Sequence, residues 1–328
     1  MDTSRAVTRT LIALGCAGAL LAACGSSTTR SAAGAAVATS TTAPRVPATT
    51  TVAPAATAAS VQRITVTFVD HSRPTVDPNG TRSAPTRTLP TDIYIPPGAG
   101  PFPLIVHAHG SQGHPRKFQQ LLRVWARHHY VVAAPAFPLS NDRSGGPTVV
   151  GDYVNQAVDM HVVITRLLRM SGGKHNALSG KIDPQHVGVS GLSLGGATVY
   201  GVAFNDCCRD AHIDAAIVMS GIKLPFDNHP FQFAGTPFLM FHGDADPTIP
   251  YATAAPVYTD AAPPKYFVTL LGAGHAPPYE DTPDPHDKLV FRVTLDFWDA
   301  YLRGNARAVK QLVHDANAPL LASIQYVE

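Results

Sequence analysis

The twelve residues His186 to Ala197, His-Val-Gly-Val-Ser-Gly-Leu-Ser-Leu-Gly-Gly-Ala, constrain this chain more than any other stretch. Val187 to Ser190 reads as a short buried strand that runs straight into Gly191-Leu192-Ser193-Leu194-Gly195 and then into a helix. A strand that meets a helix with no loop between them needs a sharp turn. Glycines on both sides of Ser193 let neighbouring backbone approach where a Cβ would collide. The serine on such a turn is held in a strained conformation, with its hydroxyl above the carboxyl edge of a sheet.

The rest of the chain supplies the sheet. Val61 to Val69 alternates polar and apolar residues and reads as an edge strand; Asp70 to Pro85 is turn-rich and reads as a loop; Leu89 to Ile95 is a second strand that should pair antiparallel with the first. Pro103 to His109, Tyr130 to Pro135, Ala215 to Met219, Phe238 to Phe241 and Tyr266 to Leu271 are short apolar runs of the kind buried on both faces in a parallel sheet. Helical spacing marks Phe118 to His128, Tyr153 to Met170 and Leu289 to Leu302. Strands alternating with helices give βαβ units, hence an α/β fold with a mostly parallel central sheet and helices on both faces. No internal repeat and no second folded domain is visible. The connection from Gly221 to Thr236 is too short for a large lid domain.

Ahead of the fold, Arg5 and Arg9 precede an apolar run from Leu11 to Ala23, shorter than the roughly 20 residues a bilayer span needs. It ends in Leu21-Ala22-Ala23-Cys24, which resembles the lipobox of bacterial lipoproteins. The resemblance implies a signal peptide over 1–23, acylation of Cys24 and an exported chain lipid-anchored on the outer side of the cell membrane; an ordinary secretory peptide is the alternative. From Gly25 to about Ser60, Ala, Thr, Ser and Pro leave too little apolar surface to offset ordering entropy. Segment 24–60 is therefore expected as a tether, and 61–328 as the catalytic domain.

With a net charge of +2 and no basic cluster, there is no electrostatic case for nucleic acid. Fifteen histidines invite a metal reading, but His107 and His109 form a single H-x-H with no further ligand at suitable spacing, so neither a metal nor a cofactor is expected. Cys207 and Cys208 are adjacent. Neighbouring Cα atoms stand about 3.8 Å apart, below the usual disulfide range, which favours two thiols over a bridge between them.

In open parallel sheets, sites form beyond the carboxyl ends of the strands. After Phe238 to Phe241 comes His242-Gly-Asp244-Ala-Asp246-Pro-Thr-Ile249-Pro250, and after Tyr266 to Leu271 comes Gly272-Ala-Gly-His275. The order Ser193, Asp, His275 and the G-x-S-x-G turn resemble the α/β-hydrolases, and over roughly residues 85 to 302 the motifs resemble dienelactone-hydrolase-like and platelet-activating-factor-acetylhydrolase-like esterases. The resemblance implies Ser193 as nucleophile, His275 as its base and Asp246 as the acid, with Asp244 a rival on the same turn. It also implies an oxyanion hole from the backbone N–H groups of Leu194 and Ser111, the latter in His109-Gly110-Ser111. The activity implied is hydrolysis of a small-molecule or lipid-like carboxylic ester through an acyl-enzyme. The chain departs from true dienelactone hydrolases, which carry cysteine where Ser193 stands, so dienelactone is not the implied substrate. Acyl transfer, or a binding lipoprotein that keeps the scaffold without turnover, are the other readings. Ser111 to Lys117, Leu139 to Val150 and Ile222 to Phe233 should wall the pocket, with Phe226, Phe231 and Phe233 either lining it or anchoring their loop.

Overall fold

The computed structural model describes residues 60–233 and 235–328. Among the described residues nine strands form one sheet in the order β1-β2-β4-β3-β5-β6-β7-β8-β9. They are β1 (Gln62–Asp70), β2 (Arg87–Ile95), β3 (Phe102–Ala108), β4 (Val131–Pro135), β5 (Ile182–Leu192), β6 (Ile213–Met219), β7 (Phe238–Gly243), β8 (Lys265–Leu270) and β9 (Ala322–Val327). From β4 to β8 every pairing is parallel. β1 and β2 pair antiparallel as expected, with Gln62 opposite Ile95 and Asp70 opposite Arg87.

Among the described residues six α-helices cover the sheet: α1 (Gln119–Arg127), α2 (Tyr153–Gly172), α3 (Leu194–Phe204), α4 (Ala254–Asp260), α5 (Asp287–Leu302) and α6 (Ala306–Ala316). The two-residue period of the strands divides the core. Leu104, Val106, Val189, Val218 and Met240 face one way, onto α2, α3 and α4. Ile105, Ile217, Leu239, Phe241 and Val268 face the other, onto α1, α5 and α6. Both faces of the central strands are buried, which is why they read as continuous apolar runs.

Two features were not read from sequence. β9 closes the far edge antiparallel to β8, with Ala322 opposite Leu270, and α6 leads into it. Only Ala322 of Ala-Ser-Ile-Gln-Tyr-Val is buried, so an edge strand of this kind has no hydrophobic run to announce it. The second is a buried ion network between β2 and α2, in which Arg87 reaches both Asp152 (2.9 Å) and Asp159 (2.6 Å) with no solvent exposure of its own.

Cys207 and Cys208 are bonded to each other, which corrects the expectation of two thiols. They lie in a tight turn after α3, where the Asn205 side chain accepts the Cys207 N–H and the Asn205 carbonyl accepts that of Cys208. The Cα atoms stay 3.8 Å apart, below the usual range, and the two bonds to Asn205 hold both side chains in one turn. Cys24 lies outside the described residues. Among the described residues no helix is long and apolar enough to cross a membrane.

Candidate active site

Ser193 sits at the junction of β5 and α3 with φ 58° and ψ −118°, in the left-handed half of the map where a β-branched or long side chain is strained. Its N–H donates to the Met219 carbonyl at 2.9 Å, tying the turn to the end of β6. The turn closes only because its neighbours lack Cβ atoms. A Cβ on Gly191 would lie 2.2 Å from the carbonyl oxygen of Gly195, and one on Gly195 would lie 2.1 Å from that of Ala108. The first turn of α3 is thus pressed against the carboxyl end of β3.

That contact brings in the loop after β3. A Cβ on Gly110 would stand 3.1 Å from the Cβ of Ser193 and 3.7 Å from its Oγ. Leu194, next after the serine, opens α3, whose first N–H groups have no partner within the helix and sit at the positive end of its dipole. Ser111 follows Gly110 on the exposed rim of the same loop.

His109 pins this loop from behind. Its Nδ1 lies 2.7 Å from the Gly110 carbonyl, which only accepts, so Nδ1 carries the proton; Nε2 then accepts the Phe137 N–H at 3.0 Å. Burial holds the imidazole neutral, with its pKa pushed down to about 4. His107, two residues earlier, is also fully buried, with its pKa pushed down to about 3 by burial, and its Nδ1 meets Ser190 Oγ at 2.9 Å. Both ring nitrogens of His109 are therefore spent on backbone. Among the described residues no group of three or more His, Cys, Asp or Glu side chains is arranged to hold a metal ion.

At the other strand ends, His275 Nδ1 lies 2.7 Å from Asp246 Oδ2, and the second carboxylate oxygen, Oδ1, accepts the N–H groups of Thr248 (2.8 Å) and Ile249 (2.9 Å). Burial pushes the Asp246 pKa up, but the hydrogen bonds from His275 and the two amides outweigh it and hold the carboxyl below its ordinary range. Because a carboxylate only accepts, the proton of His275 is on Nδ1, and Nε2 is free to accept. Asp244 makes no such contact. It is exposed, and its Oδ1 accepts the Gly272 N–H at 2.6 Å, a brace for the turn after β8. Between the two candidate acids, only Asp246 reaches the histidine.

Ser193 and His275 are on the same carboxyl edge of the sheet, but among the described residues no hydrogen bond joins them. Serine–base contacts are often long in ligand-free sites and tighten with substrate.

Several residues of this edge were not singled out from sequence. His242, quoted only as part of its motif, donates Nε2–H to the Ile249 carbonyl at 2.9 Å and stands 3.4 Å from Asp246 Oδ2, bracing the acid's turn. Tyr279 packs fully buried and meets Ser220 Oγ at 3.2 Å, tying the segment after His275 to the end of β6. Asp281 accepts the N–H groups of Gln119 and Gln120, so that segment also caps α1. Of the three phenylalanines, Phe226 is buried edge-on to Tyr153, Phe233 is buried against Tyr200 and Phe204, and Phe231 is stacked on Phe233; they anchor their loop.

A mostly parallel sheet covered on both faces, with a strained serine on the β5–α3 turn and an aspartate–histidine pair after β7 and β8, defines the α/β-hydrolase fold. A family model described as Chlorophyllase, of the α/β-hydrolase superfamily, matches residues 61–223 and supports a hydrolase of that type. The match runs from β1 past Ser193 to just beyond β6, and stops before Asp246 and His275. No curated protein matches the chain.

Proposed function

We propose that this protein is a serine hydrolase that cleaves carboxylic esters through an acyl-enzyme. The observation that carries the reading is the hydrogen-bonded Asp246–His275 pair, tautomer fixed, on the same sheet edge as a serine strained to φ 58°. Ser193 is too weakly acidic to attack unaided; His275 Nε2 takes its proton as Oγ bonds to the ester carbonyl carbon, then returns it to the departing alkoxide. Asp246 stabilises the imidazolium formed in between. The N–H groups of Leu194 and Ser111 receive the oxyanion. Water, deprotonated by the same histidine, then releases the acid. Phe226, Phe231 and Phe233 serve the scaffold in this reading rather than contacting the acyl group.

The substrate is a small-molecule or lipid-like ester, and the enzyme works outside the membrane on a tether acylated at Cys24. Support for the location comes from the lipobox-like Leu21-Ala22-Ala23-Cys24 alone. Turnover of short p-nitrophenyl esters tests the chemistry: hydrolysis that disappears in both Ser193→Ala and His275→Ala is expected, and undiminished hydrolysis in either variant rejects it. Incubating intact cells with a radiolabelled fatty acid tests the anchor, which requires label on the wild-type chain and none on Cys24→Ala.

A further inference from the structure

Gly110 and Gly113 are buried, but Ser111 and Gln112 between them are exposed and held by no core packing, yet a backbone donor there must be fixed to a fraction of an ångström to serve an oxyanion. What holds it is a hydroxyl from a different segment. Thr148 Oγ1 meets Ser111 Oγ at 2.7 Å, the Gln112 N–H at 3.2 Å and the Gln112 Nε2 at 3.1 Å. Gln112 is strained, with φ 51°, and its other bonds serve the same end: Nε2 also donates to the Gly146 carbonyl at 3.3 Å, and its own carbonyl accepts Lys117 Nζ at 2.7 Å. Asp142 N–H donates to the Gly113 carbonyl at 2.9 Å. The 141–148 segment is braced in turn by Arg82, whose Nη1 donates to Ser144 Oγ at 3.0 Å and whose Nε is paired with Asp77.

We infer that Thr148 is a positioning residue of the oxyanion hole, setting the Ser111 amide through its bonds to Ser111 and Gln112; this rests on the ester-hydrolase reading above. Ser111 Oγ, the Gln112 amide and the Gln112 side chain all donate towards Thr148 Oγ1, so three donors on two consecutive residues of one loop converge on a single hydroxyl oxygen. A left-handed, non-glycine Gln112 persists only where its surroundings over-determine it, and here the surroundings are Thr148, Gly146 and Lys117. Thr148 touches no reacting atom. Its effect is confined to where an N–H points when charge develops on the carbonyl oxygen, so it belongs to kcat rather than to ground-state binding.

The test compares wild type, Thr148→Val and Thr148→Ser on a p-nitrophenyl ester, with thermal unfolding of each and inhibition by a phenylboronic acid, whose tetrahedral adduct resembles the oxyanion. Thr148→Val should lower kcat at least about tenfold, a fraction of the hundredfold or more that follows outright loss of a donor. KM should stay within about twofold, since the lost interaction is made only in the transition state. Boronate affinity should fall in step with kcat, and Thr148→Ser, which restores the hydroxyl, should recover most of both. If valine folds poorly, Thr148→Ala carries the same expectation. Unchanged kcat in the folded variant overturns the inference, as does a loss that serine fails to rescue. An inactive wild type that also resists a fluorophosphonate overturns the hydrolase reading itself, and the inference with it; activity with an indifferent residue 148 overturns the inference alone.

Discussion

Around Ser193 the chain is held by backbone in contact with backbone: a Cβ on Gly195 would lie 2.1 Å from the Ala108 carbonyl oxygen, and the serine is bound through its own N–H rather than its side chain. The turn that carries His275 is pressed on one side, where a Cβ on Gly243 would lie 2.2 Å from the Ala273 carbonyl oxygen, and open on the other, where a Cβ on Gly274 would meet nothing within 4 Å; the imidazole itself is held by one buried carboxylate at 2.7 Å. The nucleophile's turn is placed by shape and the base's imidazole by charge. Shape fails through the fold, because a displaced backbone carries its strand with it, whereas charge fails through chemistry and leaves the fold standing. The family match covers the region built by shape and ends before the one built by charge.

Breaking the charge-held region should give the largest effect on turnover. Asp246→Asn keeps the size of the side chain but can present an N–H to His275 and so turn the imidazole to the wrong tautomer; kcat should drop by about 10³ to 10⁴ with little change in melting temperature. The steady-state rate and the melting curve, measured together, check both parts. Breaking the shape-held region should do the reverse. Gly195→Ala sets a methyl against main chain that has no rotamer to yield, at a cost of about 3 kcal/mol or more, while Gly274→Ala should be within about 0.5 kcal/mol of wild type. Urea unfolding of the two variants measures the contrast directly.

The two regions should also part company in acid. His107 and His109 are buried neutral with pKa values pushed down to about 3 and about 4, so between about pH 6.5 and 4 the unfolded chain binds more protons than the folded one. Their contribution is therefore lost as pH falls through that window, by up to about 1.4 kcal/mol per pH unit for each. Asp246 has the same sign of dependence in a lower window: its folded pKa is depressed, so its contribution is intact above the ordinary carboxylate pKa and goes only as pH falls below it. Stability measured in urea should already decline between pH 6.5 and 5; a flat profile there contradicts the buried-neutral assignment of the two histidines. The smallest effect belongs to Asp244→Asn, which keeps an oxygen to accept the Gly272 N–H and gives up only the charge behind it, and should cost about 1 kcal/mol or less and leave kcat near wild type.

The fold was legible because its central strands are buried on both sides and its helices carry apolar stripes; continuous runs such as Pro103 to His109 leave little else to be built. What escaped notice or was misjudged lies where that signal fades. β9 buries one residue of six, and the Cys207–Cys208 bridge, weighed and set second to two thiols on the short Cα spacing, forms within a local turn. In the candidate site, Ser193, Asp246 and His275 stood out because each follows a strand end in a recognisable string. His242 and Tyr279 act through atoms that no string reveals: one carbonyl of the acid's turn, and one serine hydroxyl a strand away. Thr148 is harder still to read, 36 positions from Gln112 and linked to it only when two exposed loops meet.

The central claim is that Ser193 is a nucleophile activated by His275. Mass spectrometry after treatment with a fluorophosphonate tests it most directly, because the probe bonds only to a serine whose proton has somewhere to go. The account predicts one adduct per chain, on the peptide that carries Ser193, absent in Ser193→Ala and strongly slowed in His275→Ala. An unlabelled wild-type chain, or an adduct that survives Ser193→Ala, contradicts it.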